Sequence, residues 1–575
     1  MWLHVSATSD ARALWRGCAD MSSPRWPTTR VMSWRHRAQA KREALNKAIP
    51  AEWHLSEVPS VESLPCAVEY VASYMTPEER RITDLSFETL CAALQTGQLT
   101  SRQVTLAFAH RAALAHQLTN CLTEFELEAA LKRADQLDAH LKETGRPVGP
   151  LHGMPISLKD TYYLEGTYAT VGFVSWLDKK ASREDEAGVV AILREAGAVF
   201  YVKTNVPTSM LCAETVNNVY GFTKNAHHRA CSAAGSSGGE GSLLSLRGSP
   251  LGMGSDIGGS IRLPSCVAGV WGLKCTPGRF PTQGTRSVNK GQTLVPGVVG
   301  PMAASVAALE VCAKILLAAQ PWLVDPSVVE MPWQMYELPS KLVFGLMISD
   351  GIVHPQPPIE HALREVAHSL ECAGHEIIPF EPPSHAQALA LWLGIMTQSG
   401  GEEIHRAIEE GGETLIDEVA QIFGAHKGDR KAMSIQEVYD QAVVLKQYCT
   451  AYEQAWTDTA RHTRSGRMMD GILMPNSGVV CWRRGQTTYA GFTPPANVLH
   501  YCAVSMPLAV AEPIPARPRC DFISRLDEEV YRAYDPEQAR GMPIGIQLMA
   551  RRFQEEKVLA MARTIAATYT PKSPL

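Results

Sequence analysis

The spacing of apolar residues predicts helices in the first third of the chain. From Asp84 onward, apolar positions recur at intervals of three and four residues, the periodicity of a helix with one buried face. Thr100 and Gln103 have the spacing of a capping box ahead of "VTLAFAHRAALA". Gly145 follows the next segment and is expected to cap it. The apolar face of that second helix consists of Leu127, Leu131, Ala134, Leu137 and Leu141.

Short apolar runs of strand type alternate with helical segments along most of the chain. The strand-type runs are "MPISLKD", "AVFYVKTN", "LVFGLMIS" and "MPIGIQLMA", whereas "DEAGVVAILREAG" and "EEKVLAMARTIAATY" have helical periodicity. Alternation of this kind is typical of a layered α/β core. The sequence therefore predicts the α/β class.

The block between about residues 355 and 465 is mainly helical, with "PIEHALREVAHSLECAG" and "LIDEVAQIFGAH" as examples. It separates two stretches of core-type sequence, about 84–325 and 470–570, so we interpret it as an embedded region and not as an independent domain. Residues 1–40 are rich in Trp, Arg and Ser without periodicity, which predicts a disordered N-terminal segment. One domain is then expected over residues 41–575.

Composition narrows the function classes. The formal charge of -5 and pI near 6.4 offer no broad basic surface, which argues against nucleic acid as a partner. The longest apolar segment, which starts at Val306, is interrupted by Glu310 and Lys314, so no membrane span is expected. The 14 cysteines include no CxxC pair and no secretory h-region is evident, which predicts reduced thiols and a cytoplasmic protein.

Two segments rich in glycine and serine carry the candidate chemistry, "AAGSSGGEGS" from Ala233 and "GSDIGGSIRLPS" from Gly254. A phosphate cradle is one interpretation, but the Gly-Lys-Ser/Thr of a P-loop is absent and Ile257 stands where a dinucleotide fingerprint needs its third glycine. A G-x-S-x-G nucleophile elbow is another, but "NAHHRACSAA" is not the buried strand that it requires. His227 and His228 are predicted to be solvated loop residues.

A third interpretation joins both segments to "LHGMPISLKD", which ends near Lys159. Together the three stretches resemble the amidase signature family, in its fungal acetamidase-type branch. Lys159 matches the lysine motif of that family, Ser236 and Ser237 match its glycine-serine motif, and Ser260 matches its nucleophile. The separation of 24 residues between Ser236 and Ser260 also agrees with the family, and the similarity extends from about residue 84 to about residue 568.

The resemblance implies a Ser-cis-Ser-Lys triad. Ser260 attacks the amide carbonyl and forms an acyl-enzyme, Ser236 relays the proton, and Lys159 receives it before returning it to the leaving amine. The peptide bond before Ser236 is cis in this family. Ala234 replaces a glycine that most members carry, so the local packing could differ at that position, and Cys275 replaces a common proline, with no consequence that the sequence predicts.

Lys159 can serve as a base only when it is neutral. An ordinary lysine has a pKa near ~10.4, so the pKa must fall by roughly 3 units, which burial without a carboxylate partner can achieve. Asp160 is adjacent in sequence, but successive side chains of a strand point to opposite faces. We therefore expect Lys159 to be buried and unpaired.

The resemblance also implies supporting roles around the nucleophile. Main-chain N–H groups of Ile257, Gly258 and Gly259, with Ser236, would form the oxyanion hole and contact substrate. Asp256 and Arg262 are predicted to form a buried ion pair that braces the loop. Ser237 is expected to hydrogen-bond within the same network, and Cys266 and Cys275 are expected to pack in the core.

The implied protein is a single α/β/α domain with a mixed central sheet, flanked by helices that also lie over the site. It would hydrolyse a small-molecule carboxylic amide to the acid and ammonia or an amine, without a metal or an organic cofactor. Its assembly as a homo-oligomer is left open. Three alternatives remain: an amide or ester hydrolase for a natural-product or fatty-acyl substrate, a catalytically silent binding subunit, and a glutaminyl-tRNA amidotransferase subunit, which would need partner chains.

Overall fold

The computed structural model describes residues 33–485 and 489–569. Thirteen strands occur in these ranges: β1 (Leu122–Phe125), β2 (Pro155–Lys159), β3 (Val199–Thr204), β4 (Val216–Asn217), β5 (Gly221–Phe222), β6 (Leu251–Asp256), β7 (Trp271–Lys274), β8 (Val298–Ala303), β9 (Val343–Leu346), β10 (Glu376–Pro379), β11 (Gly471–Pro475), β12 (Cys502–Val510) and β13 (Pro543–Ala550).

The helices are α1 (Trp34–Ala48), α2 (Val68–Ser73), α3 (Pro77–Thr83), α4 (Phe87–Gln95), α5 (Ser101–Thr119), α6 (Leu127–Thr144), α7 (Gly188–Glu195), α8 (Gly238–Ser245), α9 (Arg262–Ala268), α10 (Val306–Ala318), α11 (Pro357–Cys372), α12 (His385–Thr397), α13 (Glu402–Gly411), α14 (Asp417–Phe423), α15 (Ile435–Asp458), α16 (Pro494–Val498), α17 (Arg525–Arg532), α18 (Pro536–Ala539) and α19 (Glu555–Thr568).

A mixed sheet forms the centre of the fold. Its strands follow the order β1-β3-β2-β6-β8-β7-β12-β13-β11-β9-β10, and β4 and β5 form a separate small hairpin. β2 lies parallel to both β3 and β6, whereas β8 runs antiparallel to β6. Helices flank the sheet: α10 packs on β8, α19 on β12 and β13, and α8 on β2, β3 and β6. The predicted α/β architecture is confirmed.

Local signals in the sequence correctly predict the start of α5, the end of α6 and the strand β2. The capping box of Thr100 and Gln103 is formed at the start of α5, and Gly145 ends α6 in the left-handed conformation. β2 is buried along its whole length, as expected for a strand that lies between two parallel neighbours and is covered on both faces. Lys159, its last residue, is consequently enclosed by the protein.

The mainly helical block belongs to the same fold. It contains α11 to α15, but also β10, which pairs with β9 at one end of the central sheet. Its helices, together with α16, bury a second apolar cluster around Trp456 and Phe492. This cluster lies beside the loop that joins β6 to α9 and contains Ser260, which we call the nucleophile loop. The contacts are those of α12 with α16 and of Thr493, at the start of α16, with Gly258. The block therefore covers one side of the site.

Two expectations for the chain need correction. Residues 34–40 belong to α1, whose Lys41 pairs with Glu124 of β1, so the predicted disorder is wrong there; residues 1–32 lie outside the described residues. Cys231 and Cys481 form a disulfide, so the expectation of reduced thiols is wrong for this pair. Their segments are also joined by a hydrogen bond from Ser232 N to Trp482 O of 2.5 Å.

One segment of the described chain, Val306–Leu323, is long and apolar enough by composition to cross a membrane, and half of it is buried. The segment is not one continuous helix, because α10 ends at Ala318 and a short 3₁₀ turn follows at Pro321–Leu323. Glu310 in α10 pairs with Lys314 and Arg563. These features are those of a helix that packs on the sheet.

Candidate active site

The topology brings the predicted triad to one edge of the sheet. Lys159 is the last residue of β2 and Asp256 the last of β6. Because β2 and β6 are parallel neighbours, their carboxyl ends lie side by side. Ser260 follows in the loop between β6 and α9, and Ser236 lies in the turn before α8. Lys159, Ser236 and Ser260 thus come from three separate segments.

The structure places Lys159 and Ser236 in direct contact. Lys159 Nζ lies 2.6 Å from Ser236 Oγ. It also lies 2.8 Å from Ser255 Oγ and 3.3 Å from Ser255 O. Both Lys159 and Ser236 are buried. A neutral amine in this position can accept the hydroxyl proton of Ser236, while its own N–H groups are donated to Ser255.

Burial lowers the pKa of the Lys159 amine from 10.5 to about 7, and the charges of Asp256 and Glu240 oppose this shift. Asp160 does not contact the amine. Its carboxylate instead accepts hydrogen bonds from Thr170 and Val171, as expected for a strand neighbour that points to the other face. A substantial fraction of Lys159 is therefore neutral near pH 7, which is the state that a general base needs.

Glu240, from the first turn of α8, is a buried carboxyl group close to the base. Its oxygens accept hydrogen bonds from Ser157 and Thr204. Burial raises the pKa of Glu240 to about 7, although these hydrogen bonds and the charge of Lys159 act in the opposite direction. The charge of Glu240 favours the protonated form of Lys159, but burial of the amine is the larger effect and lowers its pKa.

The turn before Ser236 differs from the family expectation. No cis peptide bond occurs within the described residues, so the bond between Gly235 and Ser236 is trans. The chain reverses through two consecutive residues with positive φ, 54° at Ala234 and 55° at Gly235. A Cβ on Gly235 would lie 2.5 Å from Cδ of Pro264. The turn thus depends on glycine at position 235, and Ala234 is accommodated with its methyl group buried.

Ser237 links the turn to the nucleophile loop. Its N–H donates to Ser260 O over 3.1 Å, and its hydroxyl donates to Ser255 O over 3.4 Å. This matches the expected place of Ser237 in the network. Cys266 and Cys275, which were expected to pack in the core, are both buried, and burial raises the pKa of the Cys266 thiol to about 12.

Ser260 lies between two cavities. One cavity of about 230 Å³ has a mixed lining, in which hydroxyl and amide groups such as those of Ser236 and Asn289 lie beside apolar side chains such as Val288 and Met396. A second cavity, of about 290 Å³, is mainly apolar and is lined by Leu263, Leu389, Trp392, Ile422, Tyr489 and Leu526 among others. Ser260, Ile257, Met210 and Leu211 line both. An amide whose carbonyl carbon is next to Ser260 can therefore direct its apolar side and its nitrogen side into different cavities.

A buried ion pair holds the nucleophile loop, as predicted. Arg262 Nη2 lies 2.9 Å from Asp256 Oδ1, and both side chains are fully buried. Burial alone would raise the pKa of Asp256, but the charge and hydrogen bonds of Arg262, with a hydrogen bond from Asn497, bring it well below its usual range. Arg262 also donates to Thr493 O and Gln547 Oε1. The loop is thereby fixed to α16 and β13.

We expect Arg262→Met to lower the free energy of unfolding by about 3–5 kcal/mol, because Asp256 would be left as a buried charge without its partner. Equilibrium denaturation measures this loss. The exposed pair of Arg525 and Glu529 supplies the control, since Arg525→Met should cost less than about 1 kcal/mol. Equal small losses in the two variants would show that Arg262 does not brace the loop.

The main-chain donors of the predicted oxyanion hole are not equivalent. The N–H of Gly259 donates to Asp256 Oδ1 over 2.9 Å, so this member of the predicted set is engaged inside the loop. Within the described residues, the N–H groups of Ile257, Gly258 and Ser260 make no hydrogen bond, and neither does the Ser260 hydroxyl. The donors open to a substrate oxygen are therefore those of Ile257, Gly258 and Ser260 itself.

Other contacts at the site were not anticipated. Ser255 lies inside the segment "GSDIGGSIRLPS", but Trp392, Thr493 and Asn497 are more than 100 residues from the loop and have no local sequence signal. His227 is not a solvated residue: its Nε2 lies 2.8 Å from Ser245 Oγ, and burial lowers its pKa. No group of three or more His, Cys, Asp or Glu able to hold a metal occurs in the described ranges.

A buried amine with a pKa near neutrality, hydrogen-bonded to Ser236 beside a cavity that Ser260 also lines, is the arrangement of a hydrolase that uses lysine as its base. Comparison with known proteins agrees. A family model described as Amidase matches residues 103–559. The chain therefore belongs to the amidase family, and it is a hydrolase that acts on amide C–N bonds.

Two curated relatives and one solved structure show how far the similarity extends. Acetamidases of Aspergillus oryzae and Emericella nidulans are each 36% identical over 545 residues, which cover 93% of this chain and 98% of theirs. A solved structure of fatty acid amide hydrolase has a TM-score of 0.87 at 32% identity and covers 93% of this chain and 95% of its own. The chain thus matches these proteins over nearly their whole length.

Proposed function

We propose that this enzyme hydrolyses primary carboxylic amides to the acid and ammonia through an acyl-enzyme on Ser260. The observation that supports this most strongly is the buried contact between Lys159 and Ser236, with Nζ and Oγ 2.6 Å apart, next to the cavity that Ser236 and Ser260 share. The names of the acetamidase relatives support the choice of a primary amide.

In the first half-reaction, Ser260 Oγ bonds to the carbonyl carbon. Its proton passes to Ser236, and the proton of Ser236 passes to the neutral Lys159. The carbonyl oxygen becomes an oxyanion, which the N–H groups of Ile257 and Gly258 can stabilise. When the C–N bond breaks, Lys159 returns the proton through Ser236 to the nitrogen, and ammonia leaves. The same relay then deprotonates a water molecule that attacks the ester and releases the acid and Ser260.

The volume of the apolar cavity indicates how long an acyl chain the enzyme prefers. At about 290 Å³, it is far larger than an acetyl methyl group, which is comparable to one water molecule of ~30 Å³. Acetamide would leave most of its apolar lining uncovered. We therefore propose that the preferred acyl chain has several apolar carbons, which keeps fatty-acyl and natural-product amides as candidate substrates.

A screen of ammonia release over straight-chain primary amides tests this proposal. Because each buried methylene contributes about 0.8 kcal/mol, kcat/KM should rise about fourfold per added carbon from acetamide until the cavity is full. An enzyme selective for acetamide would instead lose activity with each carbon. A catalytically silent binding subunit would release no ammonia from any amide.

Cellular placement and assembly remain predictions. We propose a cytoplasmic enzyme of the fungal type, on the resemblance to fungal acetamidases and on the expectation from its cysteines. The disulfide between Cys231 and Cys481 is the observation that counts against a reducing compartment. Homo-oligomer formation and the lack of nucleic-acid partners are likewise untested predictions.

A further inference from the structure

Two side chains, one on α12 and one at the start of α16, donate hydrogen bonds to carbonyl groups of the nucleophile loop. Trp392, on α12, donates its indole N–H to Ile257 O over 2.7 Å. Thr493, at the start of α16, donates its hydroxyl to Gly258 O over 2.7 Å. Both contacts join segments that lie more than 100 residues apart in sequence. Side chains of α12 and of the start of α16 therefore bond directly to the Ile257-Gly258 and Gly258-Gly259 peptide units.

The direction of these bonds determines where the loop N–H groups point. A trans peptide is planar, and its C=O and N–H point in opposite directions. When Trp392 binds Ile257 O, the N–H of the same peptide unit, which belongs to Gly258, must point away from the indole. When Thr493 binds Gly258 O, the N–H of Gly259 points away from the hydroxyl, and it meets Asp256 Oδ1 at 2.9 Å.

The fit of these side chains against the loop is close. A Cβ on Gly258 would lie 2.5 Å from Cζ2 of Trp392, and a Cβ on Gly259 would lie 2.1 Å from Oγ1 of Thr493. The two glycines of the loop therefore serve to admit these two side chains. Trp392 also lines the apolar cavity together with Gly258 and Ser260, so the indole contacts the loop on the side where an acyl group would lie.

We propose that Trp392 and Thr493 are positioning residues that fix the peptide planes of Ile257-Gly258 and Gly258-Gly259 for oxyanion stabilisation. Trp392 holds the Gly258 N–H free and directed toward the developing oxyanion. Thr493 holds the next peptide in the orientation that locks Gly259 onto Asp256. This inference rests on the proposed acyl-enzyme at Ser260 and adds the elements that set its oxyanion donors.

Loss of the Trp392 or Thr493 side-chain donor should lower kcat much more than it changes KM. A peptide plane that can rotate loses part of the preorganisation on which oxyanion stabilisation depends, and deletion of a whole donor costs ~100- to 1000-fold in rate. We therefore expect Trp392→Phe and Thr493→Val to lower kcat by about 10- to 100-fold. KM should stay within about twofold, because the ground-state carbonyl depends little on these donors.

The experiment measures hexanamide hydrolysis and the labelling of Ser260 by an alkyl fluorophosphonate, whose phosphoryl oxygen also becomes negative as the serine adds. Thr493→Ser keeps the hydroxyl donor and should restore kcat to within about threefold of the unaltered enzyme. Trp456→Phe is the matched control, since Trp456 donates its indole N–H to Met469 O over 3.0 Å and lines neither cavity. That variant should lose stability without loss of kcat.

Parallel losses of kcat and of the maximal labelling rate in Trp392→Phe and Thr493→Val, with rescue by Thr493→Ser, are the expected result. The proposal is overturned if both variants keep kcat within about threefold, if only KM changes, or if Thr493→Ser is as slow as Thr493→Val. Failure of the unaltered enzyme to hydrolyse any amide or to react with the fluorophosphonate would instead overturn the proposed function itself.

Discussion

Ser260→Ala is expected to lower kcat for amide hydrolysis by about 10⁴-fold or more, because Ser260 lines both cavities and forms the acyl-enzyme in the proposed mechanism. Ammonia release measures the loss. Intact mass after treatment with the fluorophosphonate should show one adduct on the unaltered enzyme and none on the variant. The fold should be retained, since the Ser260 hydroxyl makes no hydrogen bond within the described residues.

Ser265→Ala is the matched control for this substitution. Ser265 lies on α9, five residues beyond Ser260, and its buried hydroxyl has no hydrogen-bond partner among the described residues. Its removal should leave kcat unchanged. If Ser260→Ala kept more than about one per cent of the activity, the assignment of the nucleophile would be wrong.

Lys159→Met is expected to lower kcat by about 10³-fold, since removal of a general base costs ~100- to 10,000-fold and this base serves both half-reactions. Methionine fills a similar volume without an amine. Lys159→Arg should be equally impaired, because a guanidinium stays charged in proteins and cannot accept the proton. Steady-state ammonia release measures both losses, and fluorophosphonate labelling should slow in parallel.

Lys274→Met supplies a control for the loss of a buried lysine as such. Burial lowers the pKa of Lys274 to about 8, but its amine is bonded to Tyr501 O and Ala496 O and lines neither cavity. This variant should unfold at a lower temperature and keep kcat within a few-fold of the unaltered enzyme. Equal losses of kcat in the Lys159 and Lys274 variants would indicate a structural role for both.

The sequence predicts those features that depend on short segments. Lys159, Ser236 and Ser260 each lie in a compact motif, so the triad could be predicted. The cap of α5 could also be predicted, because it is a local hydrogen-bond pattern. β6 could not be recognised as a strand, because "LGMGSD" has glycine at two of its six positions and little β propensity. Its burial arises from pairing with β2 and β8, which are distant in sequence.

The other features that the sequence did not predict also depend on contacts between distant segments. The hydrogen bonds of Trp392 and Thr493 to the nucleophile loop span more than 100 residues, and nothing local marks them. Cys231 and Cys481 are 250 residues apart, so no spacing rule connects them. His227 was expected to be a solvated loop residue because it stands beside His228 without further ligand spacing, yet it contacts Ser245 of α8 and Ala268 of α9. Long-range packing decides each of these cases.

If Lys159 is a neutral base at physiological pH, the pH dependence of Ser260 labelling by the fluorophosphonate should follow the protonation of its amine. Between about pH 5 and about pH 10, the labelling rate should rise with an apparent pKa near 7 and then stay constant, because only the neutral amine accepts the proton and burial lowers its pKa to about 7. The rise should be absent in Lys159→Met. A rise that persists in Lys159→Met, or one centred near the ordinary lysine pKa of ~10.4, would mean that Lys159 is not a neutral base near pH 7.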